Sequence, residues 1–565
     1  MKILRKRLIY CLSIIAWMLI VVSVWYLKQF PTLVNPVFSD VIIVILIFSL
    51  LLSLILGSFM IQYFEELIFF IPQCLLICFF ARCIPYLRLS YPVLWDPYAF
   101  LVTFLYIHDF GTAEQLYSYW LPSIEESINW PLMMIITESL SRIGRIDYMW
   151  LFNYQQPILG IVFFLGVYLL AYTVSQNYGV SLLSGLISSL SSHVIFHQSE
   201  YHPQGYAFII LVFLITVLSR SWELKNKPEY RILVVIFIMA FTVSHYFSSL
   251  FVSLILVTLL CMLLIVTKLN EKYSNLQLKL DWSYELIISS FLLLVTVLSY
   301  HFFIFSKHIN KYINMISSAN PYNAPIVHVG GSAPFPTNLI LDIRFIVLLL
   351  GCGSIFFTIK TKKKEEIFLA IMCLLLITLG VIGNTLIFLE VGRIVAFYEV
   401  LIGVFVALTL FRLRNILFKQ LNNKMATTAL VSIFLAVILT LTFFGGHYIP
   451  AYYFKSLGQD EYYWCQNDLP DMQKYKTGGE WVAKFVPEES RILTDKIQYF
   501  IHSAIFFWGK KSLDRIVTLV SYQHDQDKNT FIALNTKGNQ TLDKKRLIEK
   551  TSKVYFNGEV AINSV

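Results

Sequence analysis

The sequence predicts an all-α polytopic membrane protein that carries a small extracytoplasmic α/β domain at its C-terminal end. Three observations lead there. Of 565 residues, 57% are hydrophobic and only 14% charged, whereas soluble domains carry about 25% charged residues. Apolar segments recur along most of the chain, many close to the roughly 20 residues that span a 30 Å hydrocarbon core. Lys and Arg concentrate in alternate connectors, as the positive-inside bias requires.

The chain starts Met1-Lys2-Ile3-Leu4-Arg5-Lys6-Arg7 and then runs apolar over 8–27. That run exceeds the 7–15 residues or so of a signal-peptide core, so it reads as a retained first helix with a cytoplasmic start. Further apolar segments fall at 41–60, 67–86, 158–174, 182–196, 206–218, 232–243, 247–266, 286–305, 339–359, 367–388, 394–410 and 426–444. Together they make about thirteen crossings of a plasma membrane. Ser244-His245-Tyr246 is the polar break that parts two helices between Arg231 and Lys268. Alternation from a cytoplasmic start places the basic connectors 220–231, 268–279, 360–364 and 412–424 inside. The same threading places Asp96, Glu200, His202, His245 and Arg393 together on the outer side.

Residues 1–446 therefore form the membrane domain, with outer loops at 88–156 and 306–338. In the first loop Trp130, Met133, Met134, Ile136 and Leu140 recur at helical spacing, a pattern that suits a helix lying on the membrane surface. The second loop holds Asn320-Pro321-Tyr322-Asn323 and Gly330-Gly331, which is turn chemistry. The tail, 447–565, is polar and contains no spanning segment. Helices are expected at 479–486, 497–507 and 544–550, and strands at 491–494, 515–522, 530–534 and 554–556. Such alternation suggests a small extracytoplasmic α/β domain.

Composition also excludes several classes. Much of the net charge of +9 lies in the inner connectors, so no nucleic-acid partner is implied. Seven cysteines lie in or beside apolar segments and only Cys465 lies in the tail, so no disulfide framework is expected. Gly-rich phosphate loops, Ser-centred nucleophile elbows and Cys-x-x-Cys pairs are missing from the sequence, which argues against ATP hydrolysis. Asn539-Gln540-Thr541 matches a glycosylation acceptor on the outer tail.

Asp96 stands in Trp95-Asp96-Pro97-Tyr98, just beyond the third segment. It reads either as the N-cap of a helix starting at Pro97 or as a general base, and one carboxylate can be both. Arg393 reads as a snorkelling anchor, as a partner of Glu390 or Glu399, or as a phosphate ligand at headgroup level. His245 with Tyr246 is either a polar helix break or part of a pocket. His108-Asp109 is either a helix-end pair or part of a site. Asp96, Glu200 and His202 are weak candidates for a divalent metal, since no His-x-x-x-His pair is present and Pro203 interrupts the helix.

The run from Asp96-Pro97-Tyr98 to Tyr106-Ile107-His108-Asp109-Phe110-Gly111 resembles the first outer loop of GT-C-class membrane glycosyltransferases. Those enzymes use polyprenyl-phosphate-linked sugars, and the group includes protein-mannosyltransferase and aminoarabinose-transferase types. Trp130-Pro131-Leu132 resembles the amphipathic helix that follows there. Ser199-Glu200-Tyr201-His202-Pro203-Gln204, Ser244-His245-Tyr246-Phe247-Ser248 and Gly392-Arg393-Ile394 look like further motifs of archaeal and bacterial members. The resemblance covers roughly 96–410 and lies in order and topology. It departs in having two helices before the acidic loop where the common core has one.

The resemblance implies a GT-C-like fold and inverting transfer of a hexosyl or pentosyl group. The donor would be a polyprenyl-phosphate sugar, and the acceptor a glycan, lipid or protein at the outer face. It assigns Asp96 as base and Arg393 as donor-phosphate ligand. Glu200, His202, Gln204, His245, Tyr246, His108 and Asp109 would line the sugar or acceptor pocket. No cofactor is required with certainty, and a divalent metal is compatible with the residues. A transporter or flippase of a lipid-linked or polysaccharide precursor is the competing reading. Transporters set polar groups near mid-membrane, whereas the spans here are nearly free of charge and the polar residues gather at one rim.

The threading has a direct check. Single cysteines introduced as Lys363→Cys and Asn323→Cys should label from opposite sides of intact cells. Labelling of both from outside would overturn the orientation.

Overall fold

A helix of 28 residues is about 42 Å long, and the first element, α1 (Lys2–Gln29), has that length. In this computed structural model the described residues are 2–29, 36–59, 67–89, 100–101, 103–104, 107–108, 129–199, 201–220, 227–272, 284–304, 364–382, 391–421, 427, 430–435, 438, 484–485 and five strands between 491 and 564. The helices that follow are α2 (Pro36–Phe59), α3 (Leu67–Leu89), α4 (Leu132–Gly144), α5 (Tyr148–Ser175), α6 (Tyr178–Ser189) and α7 (Ser192–Ser199). After them come α8 (Pro203–Ser219), α9 (Pro228–Thr242), α10 (Tyr246–Lys272), α11 (Tyr284–Ile304), α12 (Lys364–Ile382) and α13 (Val391–Leu421).

Among the described residues, Lys6–Gln29, Trp150–Ser175 and Phe397–Gln420 are long and apolar enough to cross a membrane, and several shorter helices are equally apolar. Large apolar side chains are exposed on several helices: Ile14, Met18 and Val22 on α1, Ile232 and Ile236 on α9, and Ile288 and Phe291 on α11. Such a surface suits hydrocarbon rather than water.

The chain divides into two units. One comprises Met1–Tyr91, Asn129–Ile136 and Leu140–Tyr462, and the other Pro92–Ile128, Thr137–Ser139 and Tyr463–Val565. In the first, α1, α2 and α3 pack together, α3 packs on α5, and α5 packs on α6 and α8. Gln73 of α3 joins the opening trio: its Nε2 donates to Ser13 Oγ at 3.3 Å and its Oε1 accepts from Ser53 Oγ at 3.5 Å. Helices α6 and α13 approach closely. Ser188 Oγ donates to Val400 O at 2.8 Å, and a Cβ at Gly403 would strike Ser188 Oγ and lie 3.0 Å from Ser184 O. Small residues at such contacts are what membrane helices use to pack without a hydrophobic drive between them.

Two expected segments change. The span expected at 182–196 is two helices, α6 and α7, parted at Leu190–Ser191. Twelve residues of α6 reach only about 18 Å, and the Ser188-Ser189-Leu190-Ser191-Ser192 run supplies hydroxyls that compete with helical hydrogen bonds. The span expected to open at 158 opens at Tyr148 instead, because Pro157 sits inside α5 rather than ahead of it. The break at Ser244-His245-Tyr246 does separate two helices, α9 and α10. The span expected at 339–359 lies outside the described residues, as do both loops' central parts. Of 426–444, only residues 427, 430–435 and 438 are described, and these are helical.

In the second unit the tail forms a five-stranded mixed sheet of order β2-β1-β3-β5-β4. The strands are β1 (Arg491–Thr494), β2 (Ile516–Thr518), β3 (Thr530–Asn535), β4 (Ser552–Phe556) and β5 (Val560–Ser564). β1 pairs in parallel with β2 and β3, with Ile492 opposite Ile516 and Phe531, and β5 pairs antiparallel with β3 and β4. β5 was not expected, although Asn557-Gly558 is a hairpin-turn sequence. The tail helices expected at 497–507 and 544–550 lie outside the described residues, and of 479–486 only 484–485 are described, as helix.

Gly403→Leu should force α6 and α13 apart. Overpacking of this kind costs about 1–3 kcal/mol, so a thermal-unfolding scan in detergent should show a lowered midpoint. An unchanged midpoint would mean that the two helices do not pack as described.

Candidate functional site

Two helix starts meet at one place, and a histidine caps each. His202, extended at φ −142° and ψ 134°, is the N-cap of α8: its Nδ1 accepts from Gln204 N at 3.1 Å, and Pro203 occupies the first helical position. Proline is suited to that position because its missing N–H would be an orphan there anyway. His245 does the same for α10, where Nδ1 accepts from Ser248 N at 3.2 Å and lies 2.7 Å from Ser248 Oγ. An Nδ1 that accepts leaves the ring proton of a neutral imidazole on Nε2. The two rings lie 6.2 Å apart, and a third imidazole, His197 of α7, lies 5.5 Å from His202. All three are buried, His245 completely.

The first turn of α4 and the end of α11 flank these starts. Leu132 N donates to Val243 O at 3.3 Å, Tyr300 OH to Asn129 O at 2.5 Å, and Tyr201 OH lies 3.8 Å from Met134 Sδ. Trp130 is tilted against His301 at 5.8 Å.

Beneath the caps is a layer of buried amides. Gln156 of α5 donates through Nε2 to His202 O at 2.7 Å, which holds the turn between α7 and α8. Gly205 permits that approach: a Cβ there would lie 2.6 Å from Gln156 Oε1 and 2.7 Å from His197 O. One turn along α5, Gly160 faces Arg82 of α3, whose side chain a Cβ at 160 would strike. Arg82 is fully buried. Its Nε and Nη2 both donate to Gln198 Oε1, at 3.1 and 2.6 Å, its Nη2 also to Ser189 O at 3.0 Å, and its Nη1 to Cys78 O at 2.9 Å. Several buried polar atoms have no hydrogen-bond partner among the described residues: Gln198 Nε2, Ser199 Oγ, Gln156 Oε1 and both amide atoms of Gln204. Such a mixture of neutral donors and acceptors is matched to a ligand rich in hydroxyl or phosphate oxygen, or to ordered water.

The structure thus brings together His202, Gln204 and His245. Tyr246 opens α10 and Arg393 is the third residue of α13, although nothing is described of either side chain. Asp96, Asp109 and Glu200 lie outside the described residues. His108 belongs to the second unit, where its Nδ1 is 2.8 Å from Glu138 Oε2 and its ring stacks on Phe104. Glu138 was not anticipated, because 30 residues separate it from His108 and no local pattern links them. Arg82 was also passed over, contrary to the expectation of nearly uncharged spans. Its signal was visible: a lone arginine about one turn inside the end of the apolar segment 67–86.

For a divalent metal, the described residues contain no group of three or more His, Cys, Asp or Glu suited to hold one. His202 has its Nδ1 engaged as a cap, and the other two candidates, Asp96 and Glu200, lie outside the described residues. The described donors therefore do not build a metal site.

The described helices make a fold that is similar to solved membrane-protein structures. The particular likeness is to ArnT from Cupriavidus metallidurans bound to undecaprenyl phosphate, at 10% identity and a TM-score of 0.53, covering 89% of this chain and 98% of that one. A second similar structure is the archaeal oligosaccharyltransferase AglB from Archaeoglobus fulgidus in complex with an inhibitory peptide and a dolichol-phosphate, at 12% identity and a TM-score of 0.46. It matches 78% of this chain, which spans 64% of that protein's length. At such identities the likeness is one of fold. No protein-family model matches the chain, and no curated protein does.

Gln156→Leu should loosen the turn at His202. An unpaired buried carbonyl costs about 1–3 kcal/mol, so the melting point should fall. Hydrogen exchange at residues 200–205 should rise more than in α1, and uniform exchange would rule out this anchor.

Proposed function

We propose that the protein is a plasma-membrane glycosyltransferase that moves a sugar from a polyprenyl-phosphate donor to an acceptor at the outer face. The single observation that carries this reading is the fold shared, along almost the whole length of both chains, with ArnT bound to undecaprenyl phosphate. The amino terminus is taken as cytoplasmic and the tail as extracytoplasmic, from the alternation of basic connectors. The acceptor is a glycan, lipid or protein bearing a nucleophilic group.

In this mechanism Asp96 accepts the proton of the acceptor as its oxygen attacks the anomeric carbon. The bond from that carbon to the phosphate oxygen breaks with inversion, and the carrier phosphate leaves with the electron pair. Arg393, in the first turn of α13, supports the departing charge, and the helix start adds its own N–H groups and dipole. His202 and His245 offer Nε2–H donors and Gln204 an amide to sugar or acceptor oxygens. Glu200 and Tyr246 complete the proposed lining. No step is routed through a metal.

A second reading, a transporter or flippase for a lipid-linked precursor, has specific support in the buried Arg82 and the broken pair α6–α7. Interrupted helices and intramembrane charge are features of transport sites.

One experiment addresses both. Proteoliposomes containing the protein are supplied with a panel of radiolabelled polyprenyl-phosphate sugars and membrane extract, and transfer and lipid translocation are followed together. The expected result is transfer that Asp96→Asn abolishes and that Arg393→Gln lowers by about 10²–10³-fold, with Arg393→Lys between Gln and wild type. Because Asn caps a helix about as well as Asp, normal turnover in Asp96→Asn would leave that residue a cap alone. Translocation without transfer would favour the second reading.

A further inference from the structure

Arg82 is a permanent cation placed where burying a charge is expensive, and such a group persists only when its donors are satisfied. Its hydrogen bonds reach three helices along the chain's path around the histidines. Cys78 O is one turn back in α3. Ser189 O is the last carbonyl of α6, at the negative end of that helix. Gln198 belongs to α7, next to His197. Opposite the guanidinium side chain, α5 carries Gly160 where any larger residue would displace it.

We propose that Arg82 is a positioning residue: it sets the break between α6 and α7, and through Gln198 it fixes where His197 and His202 stand. The two nitrogens that converge on Gln198 Oε1 hold the amide in one orientation, with Nε2 turned away from the arginine. A flexible carboxamide becomes an oriented donor in this way. The helix that follows the break is only eight residues long, too short to hold its place by its own hydrogen bonds. Its position comes from Arg82 at Gln198 on one side and from the turn anchored by Gln156 on the other. The ring of His197 then lies tilted 5.5 Å from that of His202, and His202 tilted 6.2 Å from His245. Arg82 acts through Gln198 and the backbone of α6.

In its catalytic consequence this inference rests on the transferase reading, but its structural part can be tested without it. Arg82→Lys keeps the charge and loses the fork that reaches Gln198 and Ser189 at once. Gln198→Met keeps the bulk and removes the accepting oxygen, and it serves where the lysine variant does not fold. In detergent-purified protein, diethyl pyrocarbonate modification of individual histidines is followed by mass spectrometry, with His301 of α11 as an internal control. Both variants should show faster modification of His197 and His202 with His301 unchanged. In the transfer assay kcat should fall by about 10²-fold, the size of effect that an ångström-scale displacement produces, while KM for the lipid donor stays the same.

Unchanged reactivity of His197 and His202 would overturn the proposal. So would a parallel rise at His301, which would make Arg82 a general stabiliser. Wild-type kcat together with altered histidine reactivity would overturn the catalytic part. If wild-type protein transfers none of the donors, the transferase reading fails by itself, and the modification rates still decide the role of Arg82.

Discussion

A helix that ends inside an apolar environment leaves backbone groups that water cannot reach, and this chain ends or starts several helices there. The first four N–H and last four C=O groups of each helix need partners. Here side chains supply them at each turn that matters. Arg82 takes the last carbonyl of α6, His202 caps α8, and His245 caps α10. Without these partners α6 and α7 would be driven toward one continuous helix, and the histidines would not meet. The geometry of the candidate site is therefore a by-product of paying the backbone's hydrogen-bond debts locally.

The same constraint explains why the polar residues are amides, hydroxyls and neutral imidazoles. A neutral group that caps a helix satisfies one backbone donor and keeps a second polar atom available. His202 and His245 each engage Nδ1 in a cap, with Nε2 on the other edge of the ring. Gln156 likewise commits Nε2 to the His202 carbonyl and retains Oε1. Such double use couples site geometry to helix placement, so a change at Gln156 or Gly205 acts on the imidazoles without touching them. Close backbone approach completes the arrangement, since Gly160 and Gly403 admit an arginine and a serine where a methyl group would collide.

Much of the helical architecture could be read in the sequence because hydropathy depends on composition over a window. The starts of α3, α10 and α11 fall close to the apolar segments, and Ser244-His245-Tyr246 does separate two helices. The amphipathic run after Trp130 is a helix with Trp130, Met133 and Met134 buried. Window averages failed where a short polar run interrupts an apolar one. Leu190–Ser191 was averaged away inside 182–196. The segment expected from 158 starts ten residues earlier, since the missing N–H of Pro157 is tolerated within α5. In the tail, the strand after Asn557-Gly558 was missed because its alternation is brief.

At the site, the sequence by itself determined which residue types stand beside which turns: His202-Pro203-Gln204, His245 three residues before Ser248, and an arginine inside an apolar segment. These are local facts, and local chemistry turns the first two into N-caps. Only the tertiary structure decided that the two caps converge 6.2 Å apart. It also decided that Gln198 is held by Arg82 from 116 residues away and that His108 pairs with Glu138. Hydropathy is blind to rotation about a helix axis, so it cannot say which face of α3 meets α7 or which helices are neighbours. That choice was made by packing, by the small residues that let backbones approach, and by the need to satisfy each buried polar group.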